Sequence, residues 1–536
     1  MTTFADSAYL LKVTAYEQDE TDVEAVPTTF YPAATVGRST SPTDTPANTY
    51  VPAAFTGAFN YGLELFSGND PSQSGRLSLG VLDLIDPSGG LDFLTGYVWD
   101  GATIELLRGD PAAAFSTYSS VAKLSAAGMV WDTRQKQIQL RALDHVLTAP
   151  LHDTRYSGAG LYDGDSTLVG VIRPILYGRA FNITPVQINA TTLVYQVSCT
   201  SVEAIDAVRD GGVARPLDAT VGTAGDCADY ATLVAATIVA GRYITCKALG
   251  LFRLADVPAY GITCDARGDN DTINGATYTA LRAGIIRRIA TGRGNSKLTT
   301  AQIDDATFTA MDIAQPGECG FYFAEESTKA EAIAEVAAGC LGYWWFTIAG
   351  LFSVDYLTEV AASADYTLTV PTIGQGTGTG GDVIGEPAMQ AHAPPRQATF
   401  LGYRHNYTIQ PQASLAGSVT QADVAIYAAE MRKLGSQSEV LAHINPTAPI
   451  VVADSGFTND PDDTQDEATR QQTLLGVPRV RWSVKVRLDP FGDWLNKTFS
   501  VNGWQRFGFA GEKRFLCVGV SVQGRNEVAL DLWGAL

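Results

Sequence analysis

Residues 156–195 constrain the fold more than any other stretch of this chain. Gly158, Gly160, Gly164, Gly170, Pro174 and Gly178 fall there at short intervals between apolar runs. Glycine reaches positive φ without a Cβ clash and proline holds φ near about −65°, so this spacing prescribes a backbone path. The apolar runs, such as Ile175-Leu176-Tyr177, have strand length and are bounded by turn residues. The stretch holds no obvious nucleophile, metal cage or phosphate loop. A segment built this way sets a shape rather than binds a substrate.

The whole chain has 536 residues, which points to about three to four domains. It is 46% apolar and 18% charged, so globular folding is expected and wholesale disorder is not. The 52 glycines and 24 prolines are spread throughout, which suits many short strands joined by tight turns. A net charge of −20 leaves no cationic excess for binding nucleic-acid phosphates over the general surface. That charge reads first as an aid to solubility, and second as the lining of a channel that DNA crosses without sticking. The seven cysteines form no CxxC and no zinc-type Cys/His spacing. They read as small buried hydrophobes in a chain that folds in a reducing cytosol. No basic, apolar leader and no apolar run of membrane-spanning length is present, so neither a signal peptide nor membrane insertion is expected.

Residues 1–150 read as mostly β, with strand patterning at 102–108 and 137–141 and a long Thr/Pro/Ala-rich loop at 24–54. Residues 151–270 read as a strand-rich junction and α+β segment, and 271–373 as an α+β domain. A Gly-rich linker follows at 374–385, and a C-terminal β-domain at 386–536. Within these, 229–240 reads as a helix with Asp229 as N-cap, and 277–289 as a second. Thr328 and Glu331 have capping-box spacing and open a third, with Ile333, Val336, Ala337 and Cys340 on one face. A β-hairpin is expected over 343–357 around Ala349-Gly350, a fourth helix over 421–434, an acidic loop over 451–465, and strands over 482–488 and 526–533.

A search for chemistry returns little. Residues 374–381 (GQGTGTGG) lack the Lys-Ser/Thr of a phosphate loop and read as a linker. The five histidines form neither HExxH nor HxH, and His145 and His152 read as structural. No GxSxG elbow precedes a helix. Asp265, Asp269 and Asp271, and Asp454, Asp460, Asp462 and Asp463, lie in oxygen-rich loops without the EF-hand spacing, and read as solvated turns. The expectation is a non-enzyme with no catalytic, cofactor-binding or metal-binding residues.

The glycine-rich stretch nevertheless has a positive meaning. Gly158-x-Gly160, Gly164-Asp165-x-x-Leu168-x-Gly170 and Pro174-x-x-Tyr177-Gly178-Arg179-x-x-Asn182 together resemble a pattern in the tail-tip (baseplate) hub proteins of tailed bacteriophages and prophages. Similar matches follow in order: Leu193-Val194-Tyr195-Gln196, Ile205-Asp206-Ala207-Val208, residues 241–245, 250–254 and 258–265, the 402–410 run GYRHNYTIQ, Arg506-Phe507-Gly508 and Leu532-Trp533-Gly534. The family's glycine-rich turn is replaced here by Ala255-Asp256-Val257. Asp100-Gly101-Ala102 and residues 137–140 resemble the tube-like β-domain of such hubs.

The resemblance implies a mainly β, multidomain fold with α+β insertions and tube-like β-barrel domains. It implies a homotrimer that adapts a sixfold tail tube to a threefold tip and forms part of the DNA-ejection channel. It also implies partners: a distal tail ring protein, a tape measure protein, and tip or fibre proteins. Genomic DNA would pass through without specific binding. The location would be the virion tail tip, with assembly in the host cytoplasm. Gly164, Gly170, Pro174, Gly178 and Asn182 are expected to shape the junction after the first β-domain. A distal tail or receptor-binding protein is the first alternative, and a tail-associated cell-wall hydrolase the second.

Overall fold

In the strand Ala8–Glu17, Tyr9, Leu11, Val13 and Ala15 turn alternately onto the main core, while Leu10 faces a smaller cluster with Ala34, Val51, Leu107 and Phe115. A strand buried on both faces belongs inside a sheet, and Ala8–Glu17 pairs with Thr28–Phe30 on one side and Tyr97–Gly109 on the other. The computed structural model describes residues 7–18, 26–57, 60–66, 74–141, 143–369, 382–502, 512–523 and 527–535. Its fold is mainly β with several sheets, mostly antiparallel. Among the described residues no helix is long and apolar enough to cross a membrane.

The N-terminal sheet has six strands in the order Thr28–Phe30, Ala8–Glu17, Tyr97–Gly109, Ser119–Trp131, Gln135–Arg141, Val81–Ile85. The C-terminal sheet runs Tyr366–Thr369, Thr498–Asn502, Lys513–Gln523, Glu527–Ala535, Arg479–Val486, Val383–Ala393, and the hairpin Tyr61–Phe66/Ser74–Leu79 adds to it through Lys513–Gln523. One hydrophobic core serves both sheets: Leu11, Ile104 and Leu124 lie in the same cluster as Trp482, Leu530 and Trp533. Each fully buried aliphatic side chain there contributes about 1.5–3 kcal/mol. Arg108 also grips Asp489 with two hydrogen bonds of 2.6 and 2.8 Å, and the Tyr61 hydroxyl donates to the Pro490 carbonyl at 2.5 Å.

Neither sheet closes into the expected barrel among the described residues. In the N-terminal sheet the reason is visible at the Val81–Ile85 edge. Ile85 N donates to Ala54 O at 2.8 Å and Thr56 N to Asp83 O at 3.2 Å, so residues 54–56 occupy the groups that a closing strand needs. The C-terminal sheet draws strands from within 1–150, 271–373 and 386–536. Residues 374–381 of the expected linker lie outside the described residues, as do Arg506, Phe507 and Gly508; Val383 already opens a strand.

Between the two ends sits a five-stranded sheet, Val213–Arg215, Val202–Asp210, Ile262–Gly268, Ile175–Ile183, Gly320–Phe323. Helices Arg282–Gly292, Asp305–Ala314 and Lys329–Ala338 pack against the strands Gly342–Phe346 and Phe352–Tyr356, which form the expected hairpin. The Thr328–Glu331 capping box is present: Thr328 N donates to Glu331 Oε2 at 2.7 Å and Glu331 N to Thr328 Oγ1 at 3.2 Å.

Other elements differ from expectation for identifiable reasons. Asp229 does cap a helix, but it stops at Ala235, where Arg253 Nη1 collects the carbonyls of Leu233, Val234 and Ala236 at 2.7–2.9 Å. The helix expected at 277–289 spans Arg282–Gly292, because Tyr278 N and Leu281 N donate to Asn270 Oδ1 and Thr279 Oγ1 instead. The helix expected at 421–434 ends at Ala428, and Arg432–Gln437 becomes a strand beside Ala398–Tyr403. The expected acidic loop 451–465 is a strand, Ile450–Asp454, followed by the start of helix Pro461–Leu475. Asp460 is its N-cap, Pro461 stands in its first turn, and Asp462 and Asp463 face the positive end of its dipole.

Candidate functional site

The five residues singled out by sequence line one continuous path. Gly164 and Gly170 have φ of +76° and +80° and fold the loop back on itself. Gly160 N donates to Gly164 O at 2.8 Å, and Gly170 N to Tyr156 O at 2.9 Å. Tyr156 anchors the loop from inside: it is buried and its hydroxyl donates to Gln196 Oε1 at 2.6 Å. Burial pushes its pKa up, so it stays a neutral donor. Arg173 pairs with Asp163 and lies 5.0 Å from the Tyr156 ring centre. Pro174 O then accepts from Cys199 N at 2.7 Å, and the strand Ile175–Ile183 begins.

Gly178 and Asn182 shape that strand. Gly178 pairs with Gly268 on one side and Gly320 on the other. Its φ is +62°, and a Cβ there would lie 1.9 Å from Cys319 O. Two backbones meet at this point because no side chain separates them. At Asn182 φ is +51° and the pairing with Ile262–Gly268 shifts register, a bulge. The bulge frees Asn182 N to donate to Asp265 Oδ1 at 2.9 Å, and Asn182 Nδ2 donates to Thr408 O at 2.5 Å. Phe181 forms a bridge with Asn406, and Tyr407 N donates to Phe181 O at 3.2 Å. Two runs more than 200 residues apart in sequence, 174–182 and 402–410, are thus one structural unit.

Replacing Asn182 with alanine should lower stability by about 1–3 kcal/mol, since the partly buried Thr408 carbonyl loses its donor and the residue keeps a positive φ. Urea unfolding with an unchanged m-value checks this; a change within error would contradict the interlocking role.

The aspartates expected in a solvated turn are instead enclosed by arginines. Asp265 takes both guanidinium nitrogens of Arg209, one at 2.6 Å. Burial alone lowers the Arg209 pKa, but the Asp265 carboxylate outweighs it and keeps the guanidinium charged. Asp269 is fully buried and paired with Arg288 and Arg293, and Asp271 accepts from Arg293 and Ser201. These carboxylates, Asp265 and Asp269 buried and Asp271 partly exposed, are neutralised and hydrogen-bonded, an arrangement that fixes a fold rather than moves protons. Among the described residues no group of three or more His, Cys, Asp or Glu side chains is arranged to hold a metal ion. His152 is held by Phe323 O at 3.1 Å, and burial lowers its pKa, as for a structural histidine.

Beside the junction lies a cavity of about 480 Å³, lined by Thr184, Tyr322, Glu325, Glu326, Glu335 and Tyr407 among others. Glu335 reaches solvent, yet its concave surround raises its pKa, with the Asp454 charge adding to the effect. Asp454 Oδ2 is 2.7 Å from His405 Nδ1. Sequence reasoning missed this pair and the arginine partners, because their members are scattered along the chain and meet only in space. Gly320 was also missed; its signal is a glycine directly before the aromatic run Phe321-Tyr322-Phe323, at the start of the strand Gly320–Phe323.

Solved structures aligning with this chain include phage and prophage tail proteins and baseplates. A 43 kDa tail protein of prophage MuSo2 from Shewanella oneidensis aligns over 98% of both chains at 8% identity with a TM-score of 0.32. A chain from the virion of a native gene transfer agent aligns over 72% of this chain and 88% of that one, at 12% identity and a TM-score of 0.37. The prophage tail protein gp18 of Listeria monocytogenes covers 88% and 94% at 8% identity and a TM-score of 0.29. No protein-family model matches the chain, and no curated protein does.

Proposed function

We propose that this protein is a structural component of a phage tail tip, a hub that adapts a sixfold tail tube to a threefold tip and forms part of the DNA-ejection channel. The observation that supports this most is the single core shared by the N-terminal and C-terminal sheets. A copy that carries two sheets as one packed unit lets three copies present six, which reconciles the two symmetries. The open edges support it as well. Met389 is exposed on Val383–Ala393, an outermost strand of the C-terminal sheet among the described residues, and bare strand edges are a liability that ring closure removes. The junction fits a scaffold, since its charges are neutralised in pairs and its glycines set backbone contact.

In this reading the protein forms a homotrimer at the virion tail tip after assembly in the host cytoplasm. It docks on a distal tail ring protein, meets the tape measure protein, and carries tip or fibre proteins. The net charge of −20 lets genomic DNA pass without binding. Sedimentation of the purified chain should give three times the chain mass; a monomer at micromolar concentration contradicts the reading. One observation favours a cell-wall hydrolase instead: the raised pKa of Glu335 in a cavity that also holds Glu325 and Glu326. Peptidoglycan zymography decides between them, with clearing that Glu335→Gln abolishes favouring the hydrolase.

A further inference from the structure

The segment 404–408 is held from two sides. Toward the junction it bonds Phe181 and Asn182, and the Thr408 hydroxyl is 2.6 Å from that of Thr184. Toward the outside it carries residues 409–430. Asn406 N donates to Glu430 O at 2.7 Å, and Asn406 Nδ2 reaches the carbonyls of Ile426 and Ala429 at 2.6 and 2.7 Å. The helix Gln421–Ala428 of that outer part has no buried side chain; Leu415 is buried and Tyr427 lies 5.5 Å from the Arg209 guanidinium, and polar contacts share the attachment with these two.

His405 sits in the middle of this attachment. Its Nδ1 is 2.7 Å from Asp454 Oδ2 at the end of the strand Ile450–Asp454, and its ring lies 4.6 Å from that of Tyr407. Tyr407 accepts in turn from Tyr322 N at 3.0 Å. The carboxylates facing His405 are Asp454 from that strand, Glu430 from the end of the outer segment, and Glu335 from the helix Lys329–Ala338, while its chain neighbour Arg404 turns to Asn459 at 3.0 Å and to the Phe181 ring. We propose that His405 is a pH-operated clasp, whose imidazolium holds residues 404–430 against the junction and whose neutral form leaves three converging carboxylates to loosen them.

The sign follows from the surroundings. The Asp454 hydrogen bond raises the His405 pKa, outweighing burial, with the other carboxylates helping. A raised histidine stabilises the docked state fully below its unfolded value of about 6.5, and that stabilisation is lost as pH rises through the folded value. Glu335 acts in the same direction, since its raised pKa means that its ionisation opposes the docked state.

Hydrogen exchange of the full chain, corrected for intrinsic rates, tests the clasp at about pH 6 and about pH 9. Protection of residues 404–430 should fall by up to about tenfold for each unit by which folding raises the His405 pKa. Protection of the strands Ala8–Glu17 and Glu527–Ala535 should stay constant. His405→Gln should show the lower protection at both pH values. Should that variant fail to fold, Asp454→Asn should flatten the pH dependence in its place. Equal protection of 404–430 at both pH values in the unaltered chain, or an undiminished pH dependence in either variant, would overturn the proposal.

Discussion

Replacing Gly178 with alanine should destabilise the protein by about 2–5 kcal/mol, and in a marginally stable background abolish soluble expression. Two costs add. A Cβ on a residue held at φ +62° meets its own backbone, worth about 1–2 kcal/mol. The same Cβ would stand 1.9 Å from Cys319 O and 2.9 Å from Cys319 C, so the strand Gly320–Phe323 must move, at about 1–3 kcal/mol for overpacking. The obstruction is backbone, which no rotamer change relieves. Gly320 has the reciprocal contact, its own Cβ position falling 1.6 Å from Arg179 O. Chemical denaturation measures the loss. Gly170→Ala is the control: it has a similar φ but nothing within 4 Å, so only the conformational cost remains. Equal losses at the two positions would contradict backbone contact as the reason for Gly178.

Replacing Trp533 with alanine should cost about 3–5 kcal/mol and lower the folding yield. Trp533 is fully buried in the strand Glu527–Ala535, paired with Arg481 and Leu516. Its ring meets Phe66 edge-on at 6.2 Å, and the Arg479 guanidinium lies 4.9 Å from its centre. Phe66 comes from the early hairpin, so this one indole packs strands from opposite ends of the chain. Truncation leaves a large cavity beside a buried guanidinium that has lost its aromatic face. Thermal unfolding checks it: both sheets should melt together at a lower temperature, and normal yield with unchanged stability would contradict the shared core.

Local signals read well from this sequence. The Thr328–Glu331 capping box, the Asp229 cap and the hairpin around Ala349-Gly350 are each written within a few residues, and the structure has all three. The helix Pro461–Leu475 begins inside the loop expected over 451–465, although Asp460-Pro461-Asp462-Asp463 is a start signal. Its buried face is polar: Thr464, Glu467, Gln471 and Gln472 are all covered, with Gln471 donating to Gly339 O and Gln472 to Arg396 O. An apolar stripe, the usual sign of an amphipathic helix, is therefore thin. The helix expected over 421–434 overlaps the strand Arg432–Gln437 only at residues 432–434, where pairing with Ala398–Tyr403 overrides local preference. In the junction Gly164, Gly170, Gly178 and Asn182 have positive φ, a backbone state that selects glycine or asparagine and so stands out in a sequence. The buried arginine pairs and the docking of 402–410 on 175–183 do not stand out, because contacts at long sequence separation leave no periodic trace.

Electron cryomicroscopy of the assembled particle tests the central claim most directly. Threefold density around an open, acidic axial pore is predicted, with the two sheets of each copy alternating around a pseudo-sixfold ring. A monomer, a particle without threefold order, or a sealed or basic channel would contradict it.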